Sequence, residues 1–84
     1  MSKNFFVYVL GSDMSTVFHT YIGRTNDLDR RLVKHNTGQG SRFTRGRKWQ
    51  LLYAESYQTQ SEAMSREWHL KRDHNFRKHF SNVI

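Results

Sequence analysis

The chain contains no cysteine, so non-covalent packing alone must hold its fold together. This excludes a disulfide framework and a thiolate metal site, argues against a small secreted or zinc-stapled scaffold, and predicts a reducing, cytoplasmic location. With 84 residues, one compact domain with one modest core is expected. Chains near this length bury only about 60% of their unfolded surface, so the large side chains must supply much of the stability.

The apolar segments of the chain are short. The longest run, Phe5 to Leu10, is far below the roughly 20 residues that a membrane span needs. A basic start, a long apolar stretch and a small-residue cleavage site are also missing, so neither a signal peptide nor an anchor is indicated. We therefore expect no membrane association and, at this size, a monomer.

Basic residues outnumber acidic residues by 14 to 7, and the excess is concentrated in one segment. Between Arg30 and Ala54 no residue is acidic and seven are basic, namely Arg30, Arg31, Lys34, Arg42, Arg45, Arg47 and Lys48. Such a field attracts polyanions and gains free energy by releasing their counterions. A solvated basic face kept for solubility has the same composition, so charge alone leaves these two interpretations equal.

Residue patterning predicts three strands. Aromatic and β-branched residues place them at Asn4 to Leu10, Val17 to Gly23 and Trp49 to Tyr57. The connection from Gly11 to Thr16 is short enough for a hairpin, which makes the first two strands antiparallel neighbours.

Helical spacing and capping residues predict two helices, Asp27 to Asn36 and Thr59 to about Arg72. The second opens with Thr59-Gln60-Ser61-Glu62, a capping-box pattern. Between the first helix and the third strand, Gly38 to Lys48 is a Gly-rich basic loop with room for one helical turn. The basic tail from residue 73 to 84 is weakly periodic, with Phe76 and Phe80 spaced as in a short helix.

These elements predict an α+β fold, a small three-stranded antiparallel sheet packed against helices in the order β-β-α-(α)-β-α. The domain core spans about residues 5–72. With only three strands, the helices must cover most of the apolar surface of the sheet.

Charged side chains interrupt the apolar stripe of the first helix. With 100° per residue from Leu28, Leu32 lies at about 40°, His35 at about −20° and Arg31 at about −60°. Arg31 and His35 therefore flank the buried stripe, whereas Lys34 falls on the side where solvated charges belong.

Glu67 lies near the centre of the apolar stripe of the second helix, which Ala63, Met64 and Leu70 define. An unpaired buried carboxylate is costly, so Glu67 needs a partner or a cavity. Two interpretations fit the spacing, a structural ion pair with Arg31 and a metal or catalytic site. Glu62 points away from the stripe and is explained by the capping box.

Two strand tyrosines complete the set of unusual residues. Tyr8 lies in Val7-Tyr8-Val9-Leu10 and Tyr21 in Tyr21-Ile22-Gly23. Strand tyrosines are most often packing residues. Gly23 marks either a close approach of the backbone or the turn that follows.

Four motifs occur in order along the chain, namely Val7-Tyr8, Tyr21-Ile22-Gly23, Arg31 with His35, and the segment from Ser61 to Glu67. In this order and spacing they closely resemble the GIY-YIG nuclease superfamily. The resemblance covers about Phe5 to Arg72. It is closest to the small single-domain members, with further similarity to the nuclease part of the UvrC repair protein, to homing endonucleases and to structure-selective resolving nucleases.

The resemblance implies five catalytic residues. Tyr8 corresponds to the tyrosine that helps to activate the attacking water, and Tyr21 to the one that orients water or phosphate. Arg31 matches the family arginine, whose forked guanidinium suits the charge developing on a phosphodiester. His35 resembles a histidine that assists proton transfer. Glu67 resembles the single carboxylate that binds the metal, Mg²⁺ or Mn²⁺, together with waters and substrate oxygens.

The predicted function is therefore metal-dependent hydrolysis of phosphodiester bonds by an endonuclease, with nucleic acid as the partner, DNA expected, and a role in repair or recombination. Its expected nucleic-acid-binding residues are Arg24, Lys34, Arg42, Arg45, Arg47 and Lys48. The alternative is a non-catalytic nucleic-acid-binding module that keeps the fold. A free tyrosine has a pKa of about 10, so Tyr8 needs nearby positive charge or hydrogen bonding to act as a base.

Two positions depart from the family pattern. The glycine of the first motif is Phe6 here, so that position adds no support. The polar asparagine that many members carry after the metal-binding helix has only two weak candidates, Asn75 and Asn82.

Overall fold

A computed structural model describes residues 4–12 and 19–80 of the chain. Its elements are β1 (Phe5–Ser12), β2 (His19–Thr25), α1 (Leu28–Asn36), β3 (Gln50–Tyr57), α2 (Gln60–Arg72) and α3 (His74–His79). The predicted α+β class and element order are confirmed. The predicted start of the second strand at Val17 and most of the predicted hairpin connection lie outside the described residues, as does Asn82.

The sheet is antiparallel throughout and has the order β2-β1-β3. Strand β1 is therefore the central strand, and it pairs with β2 so that Tyr8 faces Gly23. The register with β3 shifts between Val9 and Leu10. Within the middle loop, residues 42–46 form turns, and in the tail the expected short helix is present as α3.

Side chains alternate between the two faces of β1, and each face has its own core. Val7 and Val9 pack with Ile22 and with Ala63 and Leu70 of α2. On the other face, the core contains Tyr8, Leu10 and Trp49, against which Tyr21, Leu28 and Leu32 pack. Helix α1 therefore covers one face of the sheet and α2 the other.

Helix α2 begins at the predicted cap. The Thr59 side chain accepts a hydrogen bond from the Glu62 backbone amide and donates one to the Glu62 carboxylate, 2.9 Å away. The predicted stripe is wrong at Met64, which is 51% exposed. Met64 lies about 100° around the helix from Ala63, whereas Leu70 lies only about 20° away, so the buried line runs through Ala63 and Leu70. No helix within residues 4–12 and 19–80 is long and apolar enough to cross a bilayer.

A carboxylate on β3 ties α2 to the sheet. Arg66 of α2 donates to both oxygens of Glu55, over 2.8 Å from Nε and 3.0 Å from Nη2. The hydroxyls of Tyr53 and Tyr57 also donate to Glu55. These hydrogen bonds, that from Arg66 first, lower the pKa of Glu55 to about 2. The ionised carboxylate is therefore bound much more strongly than the protonated acid.

Acid should remove the stability that Glu55 contributes. Because its pKa falls from 4.5 to about 2 on folding, the contribution is complete above pH 4.5 and is lost as the pH decreases toward 2. As the pH decreases from 4.5 to 2, the free energy of unfolding measured in urea melts should fall more steeply for the wild type than for Glu55→Gln. Glu62→Gln removes an exposed carboxylate from α2, and its free energy of unfolding should depend on pH as steeply as that of the wild type. Equal slopes for all three proteins would contradict this account.

Candidate active site

Tyr8 lies at the centre of the sheet with its side chain almost fully buried. Its ring crosses Gly23, the residue opposite on β2, and a Cβ atom at Gly23 would collide with Tyr8 Oη and Cζ. The same Cβ would lie 2.9 Å from Tyr21 Cε1. Of the two interpretations of Gly23, the close approach is therefore the one that the structure supports. Glycine at this position lets both tyrosines reach the same side of the sheet.

His35 is completely buried and connects Tyr8 to the basic loop. Its Nε2 lies 2.9 Å from Tyr8 Oη, and its Nδ1 lies 2.8 Å from the hydroxyl oxygen of Thr44, which is also buried. The Thr44 hydroxyl in turn donates to the carbonyl of Ser41 over 3.0 Å. A chain of hydrogen bonds thus runs from the central strand through His35 of α1 into the loop.

The direction of these hydrogen bonds follows from the donors and acceptors available. Tyr8 Oη has two partners within the described part of the chain, His35 and Arg31, and a guanidinium can only donate. Of these two partners only His35 Nε2 can accept a proton, so we assign the Tyr8 hydroxyl proton to the bond with His35 Nε2. His35 then carries its proton on Nδ1 and donates it to Thr44, whose own proton goes to Ser41.

Burial keeps both members of the Tyr8–His35 pair neutral. Desolvation raises the pKa of Tyr8 to about 12, outweighing the hydrogen bond from Arg31 that acts in the opposite direction. Desolvation, followed by the charge of Arg31, lowers the pKa of His35. The lowered tyrosine pKa that direct base catalysis requires is thus not found, and near neutral pH the pair consists of a phenol and a neutral imidazole.

Arg31 and Tyr21 complete the group on the α1 face. Arg31 Nε donates to Tyr8 Oη over 3.4 Å, and this bond raises the pKa of the guanidinium. The ring of Tyr21 lies 4.8 Å from that of His35 and 6.3 Å from that of Tyr8, measured between centroids. Four of the five predicted catalytic residues are thus neighbours.

Glu67 lies on the other face of the sheet, with α2, and does not pair with Arg31. Its two oxygens lie 3.5 Å from Arg24 Nε and 3.0 Å from Lys71 Nζ. The predicted ion-pair partner was therefore wrong, because Arg31 instead reaches over the α1 face to Tyr8. The charge of Glu67 still acts on Tyr8, whose pKa it raises slightly.

The surroundings of Glu67 decide whether it suits a divalent cation. Within residues 4–12 and 19–80, no cluster of three His, Cys, Asp or Glu side chains could hold a metal ion. The Glu67 side chain is 19% exposed and offers hard oxygen donors. Mg²⁺ is commonly held by one carboxylate with waters and phosphate oxygens, so Glu67 suits a site that the substrate completes. Lys71 and Arg24 would have to release the carboxylate.

The sequence also matches a known domain family and several known proteins. A model of the GIY-YIG catalytic domain matches residues 4–80. The chain belongs to the GIY-YIG family. It is 39% identical over 72 residues to a UPF0213 protein of Staphylococcus saprophyticus, covering 84% of this chain and 83% of the relative. A UPF0213 protein of Bacillus velezensis is 42% identical over 71 residues, covering 83% and 68%.

A solved structure is also similar. The solution NMR structure of a UPF0213 protein from Bacillus halodurans has a TM-score of 0.53 and 30% sequence identity, and the match covers 95% of this chain and 84% of the other. The names of these relatives state no activity. Membership in the GIY-YIG family indicates a nuclease-type domain but does not identify the substrate.

The six predicted nucleic-acid-binding residues occupy different environments in this GIY-YIG domain. Arg24 is half-buried, and its Nε lies 3.5 Å from a carboxylate oxygen of Glu67. Lys34 is only half-buried and lines a cleft of about 200 Å³ with Arg30 and Arg31. Arg42, Arg45 and Lys48 are exposed on the loop, whereas Arg47 is held by a 3.0 Å bond to the carbonyl of Phe43.

Sequence reasoning missed the residues that hold the loop over His35. A Cβ at Gly40 would collide with the His35 ring, so only glycine lets the loop lie flat on it. The Asn36 side chain accepts from the Trp49 backbone amide over 2.6 Å and donates to the Trp49 carbonyl. The Trp49 indole donates to the Thr44 carbonyl over 2.9 Å. The Gly-rich composition was the one available signal for this loop packing.

Asn75, one of the two candidates for the polar asparagine of the family, is exposed on α3.

The close contact at Gly23 gives a stability prediction. Gly23→Ala should destabilise the domain by about 1–3 kcal/mol in urea melts, because the new methyl group overpacks against Tyr8. In a Tyr8→Leu background the same change should cost clearly less, since the obstructing ring is gone. Equal costs in the two backgrounds would show that the contact with Tyr8 does not constrain Gly23.

Proposed function

We propose that this chain is a metal-dependent endonuclease that hydrolyses phosphodiester bonds in nucleic acid, with DNA as the expected substrate and Mg²⁺ or Mn²⁺ as the cofactor. The observation that carries the proposal is the 2.9 Å hydrogen bond between Tyr8 Oη and Nε2 of the buried His35, with Arg31 beside it. A tyrosine that only packs in the core needs one hydrogen-bond partner. It does not need both a buried proton acceptor and an adjacent guanidinium, which Tyr8 has. A cytoplasmic monomer acting in repair or recombination is part of the same proposal.

Tyr8 would act as a proton shuttle. The water that attacks phosphorus gives a proton to Tyr8 Oη while Tyr8 gives its own proton to His35 Nε2. The proton thus ends on the imidazole, and the phenolate, which a pKa of about 12 makes costly, is not formed as a separate species. The positive charge on His35 is then delocalised over a ring whose Nδ1–H is already bound to Thr44.

Arg31 would stabilise the charge that develops on the phosphate. Its Nε faces Tyr8, and a guanidinium has further donors in the same plane that suit phosphate oxygens. The adjacent cleft with Arg30 and Lys34 adds positive charge along the path of the backbone. Tyr21, whose ring lies 4.8 Å from that of His35, would orient water or phosphate.

Glu67 would hold the metal ion. When bound, the ion supplies positive charge to phosphate oxygens and the leaving group. Without it, Arg24 and Lys71 neutralise the carboxylate. These ion pairs also support one alternative, a nucleic-acid-binding module in which Glu67 is only a structural partner of the two cations.

Two glutamates on α2 separate the proposal from this alternative. Glu67→Gln should reduce single-turnover cleavage by more than about 100-fold, because removing the anionic ligand removes several kcal/mol of charge stabilisation. Its unfolding free energy should fall by only about 1 kcal/mol, since Arg24 and Lys71 retain some solvent contact. Glu62→Gln should cleave normally, because Gln still accepts the Thr59 hydroxyl.

The assay should use supercoiled, branched and single-stranded DNA with Mg²⁺ or Mn²⁺, beside thermal melts of each variant. Cleavage by Glu67→Gln that falls only in proportion to folded protein would identify Glu67 as a scaffold residue. Binding of every substrate by the wild type with no cleavage of any would support the binding module.

A further inference from the structure

Phe43 is an aromatic residue that the proposed chemistry does not use. It lies in the middle of the basic loop and is 49% exposed, although large apolar side chains are usually buried. The loop beneath it is fixed, because the neighbouring Thr44 is completely buried and bound to both His35 and Trp49. Phe43 is therefore held at the surface by its neighbours.

The ring of Phe43 adjoins the candidate active site. It lies 6.3 Å from the ring of Tyr21, with only 21° between the two planes, and Tyr21 in turn lies 4.8 Å from His35. Phe43 also contacts Trp49 and His19, at 6.0 and 6.1 Å between centroids. The aromatic surface around Tyr21 thus continues outward to a ring that meets solvent.

Cations surround this exposed ring. The guanidinium of Arg47 lies 5.4 Å from the centroid of Phe43 and donates to its carbonyl oxygen. Arg42 and Arg45, on either side along the chain, are exposed. Aromatic rings placed among basic residues are typical of surfaces that bind single-stranded nucleic acid, where the cations contact phosphates and the rings stack on bases.

We propose that Phe43 stacks on an unpaired nucleobase adjacent to the scissile phosphate, so that the preferred substrate class is single-stranded or locally unpaired nucleic acid. In a continuous duplex, both faces of each base are covered by neighbouring bases, whereas an unpaired base can offer a face to Phe43. The surrounding positive charge favours a nucleic acid over an apolar protein segment as the occupant. The position next to the scissile phosphate rests on the proposed function; the stacking itself does not.

Binding without metal tests the stacking separately from cleavage. The affinities for a labelled single-stranded oligonucleotide and for the matching duplex should be measured by fluorescence anisotropy, in EDTA, at a series of salt concentrations. Phe43→Leu should weaken single-strand binding by about 5-fold or more, as expected for one lost base stack, and weaken duplex binding much less. Its salt slope should stay that of the wild type, because no charge is removed.

Two further variants serve as controls. Arg45→Ala, in the same loop, should weaken both ligands and reduce the salt slope by about one contact. Phe43→Trp keeps an aromatic ring at this position, so its affinity for the single strand should stay close to that of the wild type. The fluorescence of the added indole should be quenched by the oligonucleotide. Thermal melts check that each variant is folded.

The stacking proposal is overturned if Phe43→Leu leaves single-strand binding unchanged, weakens both ligands equally, or is not rescued by Phe43→Trp. It is also overturned if the wild type binds neither ligand. A wild type that shows the Phe43 effect but cleaves no substrate with Mg²⁺ or Mn²⁺ would retain the stacking subsite and refute the nuclease proposal instead.

Discussion

The buried ring of His35 is the contact on which the arrangement of the candidate site depends. It joins β1, α1 and the basic loop through two hydrogen bonds shorter than 3 Å, to Tyr8 and to Thr44. A buried imidazole with hydrogen-bond partners at both nitrogens has one favourable orientation. The loop that carries the exposed arginines and Phe43 is therefore positioned by the same residue that accepts the proton of Tyr8.

The site is divided between the two faces of the sheet. Tyr8, Tyr21, Arg31 and His35 lie on the α1 face, whereas Glu67 lies on α2 and pairs with Arg24 of the outer strand β2. On the same strand, a side chain at Gly23 would collide with Tyr8 and Tyr21. The proposed function therefore requires residues from helices on opposite faces of the sheet to act on one phosphate.

Much of the fold could be predicted from local patterns. Alternation along Val7-Tyr8-Val9-Leu10, the cap at Thr59 and the stripe of Leu28 and Leu32 each have a direct physical cause in the chain. The same helical phase placed Arg31 and His35 beside the buried stripe, and in the structure both contact Tyr8. The family followed from the ordered motifs.

The contacts across elements could not be predicted in this way. Helical phase shows which way Glu67 points but not which strand lies opposite, so Arg31 was considered as its partner where Arg24 and Lys71 are found. The stripe was likewise wrong at Met64, which lies about 100° around α2 from the buried Ala63 and is exposed. Tyr8 was expected to need a lowered pKa, but burial, which a sequence does not show, raises it to about 12. Thr44 had no distinguishing signal at all.

The tautomer of His35 tests the central claim most directly. Long-range ¹⁵N–¹H NMR spectra of the imidazole, recorded near neutral pH without metal, distinguish a protonated Nδ1 from a protonated Nε2. The account predicts a neutral ring with the proton on Nδ1, because Tyr8 donates to Nε2 and Thr44 accepts from Nδ1. A proton on Nε2, or an imidazolium at that pH, would contradict it, since His35 then could not accept the proton of Tyr8.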